Sequence, residues 1–301
     1  MSFAGEAKAE ICRQKIDSKS CAVAECCGVL LYSNTFSADL IKITTANPDF
    51  AARLPKLFKK AFGISFDARP SEEAKGKRNL VIHDGDKIGA VFSAFGYEKE
   101  TSVSHHVNYA LLEEEGCTTA FVRGAFLAGG SVTDPEKRYH LELSTGHRSV
   151  ARETYSILLD MGFSPKESVR GGNTLLYFKQ SDAIADFLTT IGASTTAMQV
   201  MTAKVEKEMR NTITRQINCD SANADKTVAA AQEQMAAIKK YAALYGLDGL
   251  PDALKDAALL RITNPEASLS DLAKLSNPSV SKSCLSHRLR KIMELAEKEE
   301  I

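Results

Sequence analysis

The amino-acid sequence predicts an α+β protein with two pseudo-symmetric repeats, followed by an all-α domain. Three observations lead to this prediction. The same order of helical and strand patterns occurs twice, with an offset of roughly 100 residues. Strand patterns stop after Gly192, so the remainder of the chain is expected to be helical. Finally, Gly and Pro residues interrupt this helical part between Tyr245 and Pro251, which indicates a boundary there.

The patterns in each copy give the order αβαββα, and each copy is assigned to the αββαββα type of repeat. The helices carry apolar residues at helical spacing, as Ala151, Tyr155 and Leu158 do, and the strands are rich in β-branched and aromatic residues. The first copy is expected to place helices at 22–31, 48–62 and 86–95 and strands at 40–47, 64–68 and 79–83. The second copy is expected to place helices at 118–127, 149–161 and 182–191 and strands at 139–147, 163–169 and 174–179.

These patterns divide the chain into four expected segments. The first repeat takes residues 1–96 and the second takes residues 97–192, with 97–116 as the connector between them. A helical linker, with patterns at 202–218 and 227–245, is expected over residues 193–250. A separate C-terminal domain is expected over residues 251–301.

Composition restricts the classes of function. Of the 301 residues, 44% are hydrophobic and 25% are charged, which is ordinary for a globular protein. No apolar run approaches the roughly 20 residues that span a bilayer, and the start lacks the pattern of a secretory leader. We therefore expect a cytoplasmic, nucleoid-associated protein with no membrane partner. The formal net charge is +0, so any binding to nucleic acid must come from a local patch.

The seven cysteines are scattered along the chain without a Cys-x-x-Cys pair. This distribution favours reduced thiols over a zinc site. The sequence thus predicts no bound metal and no cofactor.

The C-terminal domain shows three helical patterns with short breaks. The first covers residues 252–262. The second opens at Ser268 with a Ser-x-x-Asp capping box and runs to Leu275, and the third begins near Ser281 after a short turn. A short helix, a tight turn and a longer basic helix form a helix-turn-helix arrangement.

The third of these helices is amphipathic. Leu285, Leu289, Ile292 and Ala296 recur at helical spacing and define one apolar face. The polar residues on its other faces are the predicted contacts to double-stranded DNA: Lys282, Ser283, Ser286, His287, Arg288, Arg290 and Lys291. A solvated basic face on a small helical bundle remains the alternative.

The chemistry of these side chains suggests separate roles within the helix. Arg290 and Ser286 are candidates for base contacts, with His287 next, because Arg can bond guanine in bidentate fashion. The cations Lys282, Arg288 and Lys291 are better suited to phosphates.

The run from Phe121 to Pro135 is the most distinctive stretch of the first domain, and three interpretations compete. As a phosphate loop it lacks the required Lys and follows a helical pattern. As a packing element, its small residues would let two helices approach closely. The third interpretation is a resemblance to the motif of LAGLIDADG homing endonucleases, carried by residues 124–132 and, in the first copy, by residues 28–36.

That resemblance implies two paired helices that end in metal-binding acids. Here Ser33 and Gly129 stand where the acids fall in the family. Phosphodiester cleavage with two metals requires such carboxylates. The sequence therefore predicts a protein with no catalytic residues, in which the motif serves only packing.

Over essentially its full length the chain resembles the WhiA family of bacterial regulators. The resemblance rests on the start at residues 1–4, the segment 218–227 and the run 281–292, together with the pairing of the two domains. It implies a transcription factor or chromosome-associated protein that is linked to sporulation or cell division and contacts an RNA polymerase sigma factor. Ser286 stands where the family pattern has Asn.

Three classes of function remain open at this point: a DNA-binding regulator, an active endonuclease, and a protein-interaction scaffold with little DNA binding of its own. The regulator is the class that the helix-turn-helix pattern and the missing acids favour.

Overall fold

The structure is a computed structural model that describes residues 2–70, 76–97 and 105–298. The chain forms two compact units, Met1–Lys207 and Glu208–Ile301. The predicted connector at 97–116 lies partly outside the described residues, because these omit residues 98–104. Its described part contains a short 3-10 helix, Tyr109–Leu112.

The first unit contains both predicted repeats. Its helices, in chain order, are α1 (Phe3–Arg13), α2 (Lys19–Leu31), α3 (Pro48–Phe62), α4 (Gly85–Ala94), α5 (Cys117–Gly129), α6 (Arg148–Asp160) and α7 (Ser181–Ile191). Its strands are β1 (Thr35–Phe36), β2 (Ile41–Thr45), β3 (Arg78–Ile82), β4 (Gly130–Val132), β5 (Leu141–Thr145), β6 (Lys166–Arg170) and β7 (Asn173–Phe178). The repeat is confirmed, and α1 is a helix that the sequence analysis missed.

Each repeat forms its own antiparallel sheet. The first has the strand order β1-β2-β3 and the second has the order β4-β5-β7-β6. In the second sheet, Leu143 pairs with Leu176 and Ser168 pairs with Leu175. In their described residues, the two repeats thus differ by one strand.

The strand predicted at 64–68 is wrong: only an isolated bridge between Ala68 and Val81 forms there. The second copy explains the difference. There Gly171 and Gly172, with φ of 57° and 83°, turn the chain directly from β6 into β7. Such a two-residue turn fixes the register of a hairpin. In the first copy, nine residues (69–77) separate Ala68 from β3, and 71–75 among them lie outside the described residues.

Local sequence signals explain where helices begin and end. The Asn47 side chain accepts a hydrogen bond from the Phe50 amide at 3.0 Å and caps α3, which then starts with Pro48. Gly63 ends the same helix at a φ of 74°, a conformation that favours glycine. These capping residues allow the boundaries of α3 to be predicted from the sequence.

The core of the first unit is built around α2 and α5. Most of the residues of both helices are buried, as expected for helices that are apolar on all sides. Both repeats contribute to one continuous core, for instance through Leu54 of α3 and Phe187 of α7. The two repeats therefore depend on each other for burial of their apolar surfaces.

The second unit is entirely helical in its described residues. One long helix, α8 (Ser194–Tyr245), covers both helical patterns of the predicted linker. A short 3-10 helix, Leu247–Gly249, is followed by α9 (Asp252–Thr263), α10 (Leu269–Leu275) and α11 (Lys282–Glu297). The division between the units falls inside α8, so residues 208–245 belong to the same unit as α9 to α11.

Candidate nucleic-acid interface

Helix α11 has its apolar face inside the core of the second unit. Leu285, Leu289 and Ile292 are at most 1% exposed and pack with Leu272 of α10 and Ala258 of α9. At its start, Ser281 accepts a hydrogen bond from the Cys284 amide at 3.2 Å. Burial and capping therefore fix which face of α11 is turned to solvent.

The seven predicted DNA contacts share this helix, and six of them are exposed. The exposed residues are Lys282, Ser283, Ser286, His287, Arg290 and Lys291. Arg288 is half-buried and lines a cavity of about 550 Å³ together with Asp252 and Asp256 of α9. The geometry thus brings six hydroxyl, imidazole and cationic groups together on one open surface and places Arg288 beside acidic neighbours.

The side chain of Arg290 makes two loose contacts along the helix. Its Nη2 lies 3.4 Å from Nδ1 of His287, and its Nε lies 3.7 Å from a carboxylate oxygen of Glu294. The first contact is a hydrogen bond only when Nδ1 is the unprotonated nitrogen of the imidazole. At 69% exposure, the Arg290 side chain has most of its surface free for a ligand.

Arg261 on α9 is a structural residue that the sequence analysis missed. It is 1% exposed; its Nε donates to Gln234 of α8 at 3.0 Å and its Nη1 donates to the Ala267 carbonyl at 2.7 Å. Burial lowers the pKa of this guanidinium. The signal available in the sequence was its position three residues after Ala258, which places both residues on the same face of α9. Arg261 ties α8 to the turn that leads into α10.

In the first unit, α2 and α5 meet through two glycines. A Cβ atom on Gly28 would lie 2.0 Å from the carbonyl oxygen of Phe121, and one on Gly124 would lie 2.1 Å from that of Glu25. Real Cβ atoms do not approach other heavy atoms so closely, so only glycine permits this contact between the two backbones. The run that could have been a phosphate loop lies in α5 up to Gly129 and continues as β4, and its helical part serves close packing.

Of the two positions of the missing acids, one carries a hydrogen-bonded serine and the other has no room for a side chain. Ser33 donates its hydroxyl to the Leu30 carbonyl at 2.9 Å, at the end of α2. A Cβ atom on Gly129 would lie 2.5 Å from the carbonyl oxygen of Ser144 and 2.8 Å from the ring of Tyr32. Among the described residues, no three His, Cys, Asp or Glu side chains are grouped so that they could hold a metal ion. Asp134, the nearest acid along the chain after Gly129, accepts a hydrogen bond from the Glu136 amide at 2.9 Å.

A buried ion pair supports the same helix pair, and sequence reasoning missed it. Glu25 of α2 bonds Arg53 of α3 through both carboxylate oxygens, at 2.7 and 2.8 Å, and Arg123 of α5 lies 3.7 Å away. Burial lowers the pKa of Arg53, but the bonds to Glu25 outweigh it and raise the pKa overall. These charges lie in the core as structural partners.

Fold and site together define a class of protein. A two-repeat LAGLIDADG-like unit without a metal-binding cluster among its described residues is joined to a helical unit with a helix-turn-helix. Within the described residues, none of the helices combines the length and the apolar composition that crossing a bilayer requires.

Comparison with known proteins gives the family. The model of the WhiA LAGLIDADG-like domain matches residues 118–210, and that of the WhiA C-terminal HTH domain matches residues 213–296. The probable cell division protein WhiA of Ruminiclostridium cellulolyticum is 35% identical over 306 residues, covering 99% of this chain and 98% of that protein. The protein of the same description from Alkaliphilus metalliredigens is 35% identical over 312 residues, with the same coverage. This chain belongs to the WhiA family, as its resemblance predicted.

Solved structures show the shared fold. The crystal structure of full-length DUF199/WhiA from Thermatoga maritima matches with a TM-score of 0.61 at 24% identity and covers 99% of both chains. The N-terminal LAGLIDADG domain of DUF199/WhiA matches with a TM-score of 0.50 at 21% identity, over 64% of this chain and 92% of that one. The predicted fold class, two LAGLIDADG-like repeats followed by a helix-turn-helix domain, is confirmed.

Proposed function

We propose that this protein is a sequence-specific DNA-binding regulator that acts in transcription linked to cell division or sporulation, and that α11 is its reading helix. One observation carries the proposal. The apolar face of α11 is buried, while six polar residues predicted to contact DNA are exposed on the other faces of this helix. A helix of this kind, docked on a short preceding helix, suits insertion into the major groove. The names of the WhiA relatives support the link to cell division.

The side chains of α11 suggest that different residues contact the bases and the phosphates of DNA. Arg290 and Ser286 are proposed to contact base edges, with His287 beside them, because guanidinium and hydroxyl groups can bond bases in the groove. Lys282 and Lys291 are proposed to contact phosphates. Ser283 is proposed to contact the DNA near the start of the helix. Arg288, which lines one cavity together with Asp252 and Asp256 of α9, is proposed to contact a phosphate.

The first unit is proposed to be catalytically inactive. Two-metal cleavage needs carboxylates at the ends of the paired helices. Ser33 and Gly129 stand at those positions, and the atoms around Gly129 leave no room for a larger side chain.

We propose that the repeats at 1–96 and 97–192 form a structural platform, that residues 193–250 form a helical linker, and that residues 251–301 form the DNA-binding domain. We also propose a cytoplasmic, nucleoid-associated location.

A second candidate function is a protein-interaction scaffold that binds an RNA polymerase sigma factor. The observation that favours it is a row of exposed apolar side chains on α8. Met209, Ile213 and Ile217 follow at intervals of four residues, and each is more than half exposed. Residues at this spacing share one face of a helix, which suits a protein partner better than DNA.

Binding to fragmented chromosomal DNA tests the proposal. The purified full chain is mixed with the fragments, and the retained fragments are sequenced. We expect a limited set of enriched sites that share a sequence. The Arg290→Ala variant is expected to enrich a broader set, because a lost base contact relaxes the choice of sequence. Retention of DNA without any enrichment, or no retention even in dilute salt, would contradict the proposal.

A further inference from the structure

The second unit contains a small cavity next to α11. It has a volume of about 190 Å³, several times the roughly 30 Å³ that a water molecule occupies in the liquid. Helices α8, α9, α10 and α11 all contribute to its lining. Three of the lining residues are cations, Lys226, Arg261 and Lys282, and none of the lining residues described is an acid.

Arg261 is the reason to expect an anion in this cavity. Arg261 is 1% exposed as a whole residue, and no described carboxylate lies within ion-pair distance of its guanidinium. Its Nε and Nη1 donate to uncharged oxygens, and among the described residues none accepts a hydrogen bond from its Nη2. Buried charges are normally paired, because an uncompensated charge loses its solvation by water without gaining a partner.

Three further lining residues, Lys226, Lys282 and Ser270, have side chains that can bind a phosphate. Lys226 and Lys282 are exposed and have flexible side chains, so their ammonium groups can follow a ligand. Within the described part of the chain, the Ser270 hydroxyl has no hydrogen-bond partner, whereas that of Ser268 is occupied by Asp271 at 2.7 Å. A carboxylate oxygen of Asp271 lies 3.7 Å from Nζ of Lys274, and neither of these two residues lines the cavity.

We propose that this cavity binds one phosphate group, held by Lys226, Arg261 and Lys282 and by the hydroxyl of Ser270. Lys282 belongs both to this cavity and to the exposed polar surface of α11, so a phosphate bound here lies beside the proposed DNA-reading helix. The phosphate is then one of the DNA backbone, in an assignment that rests on the proposed function. A free phosphate would use the same groups.

Inorganic phosphate tests the site without DNA. Its binding to the full-length protein is followed by ³¹P NMR line width at constant ionic strength, with chloride as the balancing anion. Lys226→Ala is the informative variant, because Lys226 is exposed and its loss leaves the core intact. We expect it to weaken phosphate binding about tenfold, as the loss of one charge-assisted bond does. Lys239→Ala, an exposed lysine of the same helix outside the cavity, is expected to bind phosphate like the parent protein.

Duplex DNA distinguishes the two sources of phosphate. The affinity for DNA is measured against salt concentration for the same three proteins. If the cavity takes a backbone phosphate, Lys226→Ala lowers the slope of the log–log plot by about 0.9 and Lys239→Ala leaves it unchanged.

The outcomes separate this proposal from the proposed function. A chain that binds no DNA but binds phosphate through Lys226 has the site for a free phosphate, and only the function as a DNA reader fails. A reduced slope without measurable binding of free phosphate supports the backbone source. If Lys226→Ala matches Lys239→Ala in both measurements, the cavity is not a phosphate site and the proposal is wrong.

Discussion

Substitution of Gly124 by Ala is the sharpest test of how the first unit is held together. On an isolated helix this change stabilises by about 1 kcal/mol, because Ala is the better helix former. Here the new Cβ would lie 2.1 Å from the Glu25 carbonyl oxygen and 2.9 Å from the Val29 amide nitrogen. Carbon atoms prefer separations of roughly 3.5–4.0 Å, so α2 and α5 must move more than about 1 Å apart.

The magnitude follows from what that separation loses. A gap of about 0.5–1 Å already removes a quarter to a half of the dispersion attraction across an interface. Overpacking typically costs about 1–3 kcal/mol, and backbone atoms cannot rotate away as a side chain can. We expect Gly124→Ala to destabilise the first unit by about 3 kcal/mol. For a unit of this size that lowers the Tm by about 6–12 °C.

Gly89→Ala is the matched control, since Gly89 is also helical and a Cβ there meets no atom within 4 Å. We expect it to be neutral or to stabilise by up to about 1 kcal/mol. Thermal unfolding followed by far-UV circular dichroism and calorimetry measures both variants, because the chain contains no Trp for fluorescence. A Gly124→Ala protein as stable as Gly89→Ala would refute the inference that backbone contact between α2 and α5 requires glycine.

Three further predictions concern DNA binding, nuclease chemistry and pH. Arg290→Ala should weaken binding to an enriched site by about 1–3 kcal/mol and relax sequence choice, whereas Lys291→Ala should weaken specific and non-specific binding alike. Fluorescence anisotropy with labelled duplexes measures both affinities. If neither variant changes the affinity, α11 is not the helix that reads the DNA sequence. The parent protein and the Ser33→Asp, Gly129→Asp double variant should both leave supercoiled plasmid intact in Mg²⁺, and the variant should lose at least about 1–3 kcal/mol of stability from overpacking; sustained nicking by either protein would contradict the packing argument. Burial raises the pKa of Glu10, but hydrogen bonds from Thr195 and Thr196 outweigh it and lower the pKa below the ordinary 4.5. A carboxylate with a depressed folded pKa stabilises the fold above its unfolded pKa and loses this contribution as pH falls through the folded pKa. Glu10→Gln should therefore destabilise the first unit at neutral pH, and the difference should shrink below about pH 4.5; a difference independent of pH in melts between pH 3 and 7 would show that the charge is not involved.

Much of the architecture is local information that the sequence carries. Helix caps such as Asn47 and Ser268, and the apolar spacing of Leu285, Leu289 and Ile292, depend on residues within a few positions of one another. Such signals predicted both repeats and the helix-turn-helix. The strand predicted at 64–68 was wrong, because its apolar pattern is local, whereas its pairing depends on a segment that starts ten residues after Ala68.

The sequence was enough to predict which residues of α11 form the candidate site, but not which residues of other helices lie near them. Helical spacing alone placed six polar residues on the open side of α11. It did not show that Arg288 lies beside Asp252 and Asp256, because those residues come from α9, more than 30 positions earlier in the chain.

By itself, the sequence determined the pseudo-symmetric order of elements, the absence of acids at Ser33 and Gly129, and the amphipathic character of α11. Only the tertiary structure decided that Gly129 has no space for a side chain and that Arg261 is buried without a carboxylate partner among the described residues. The physical reason is that burial and electrostatic pairing depend on which distant segments meet. Arg261 and Gln234 are 27 positions apart, and Gly129 and Ser144 belong to different elements.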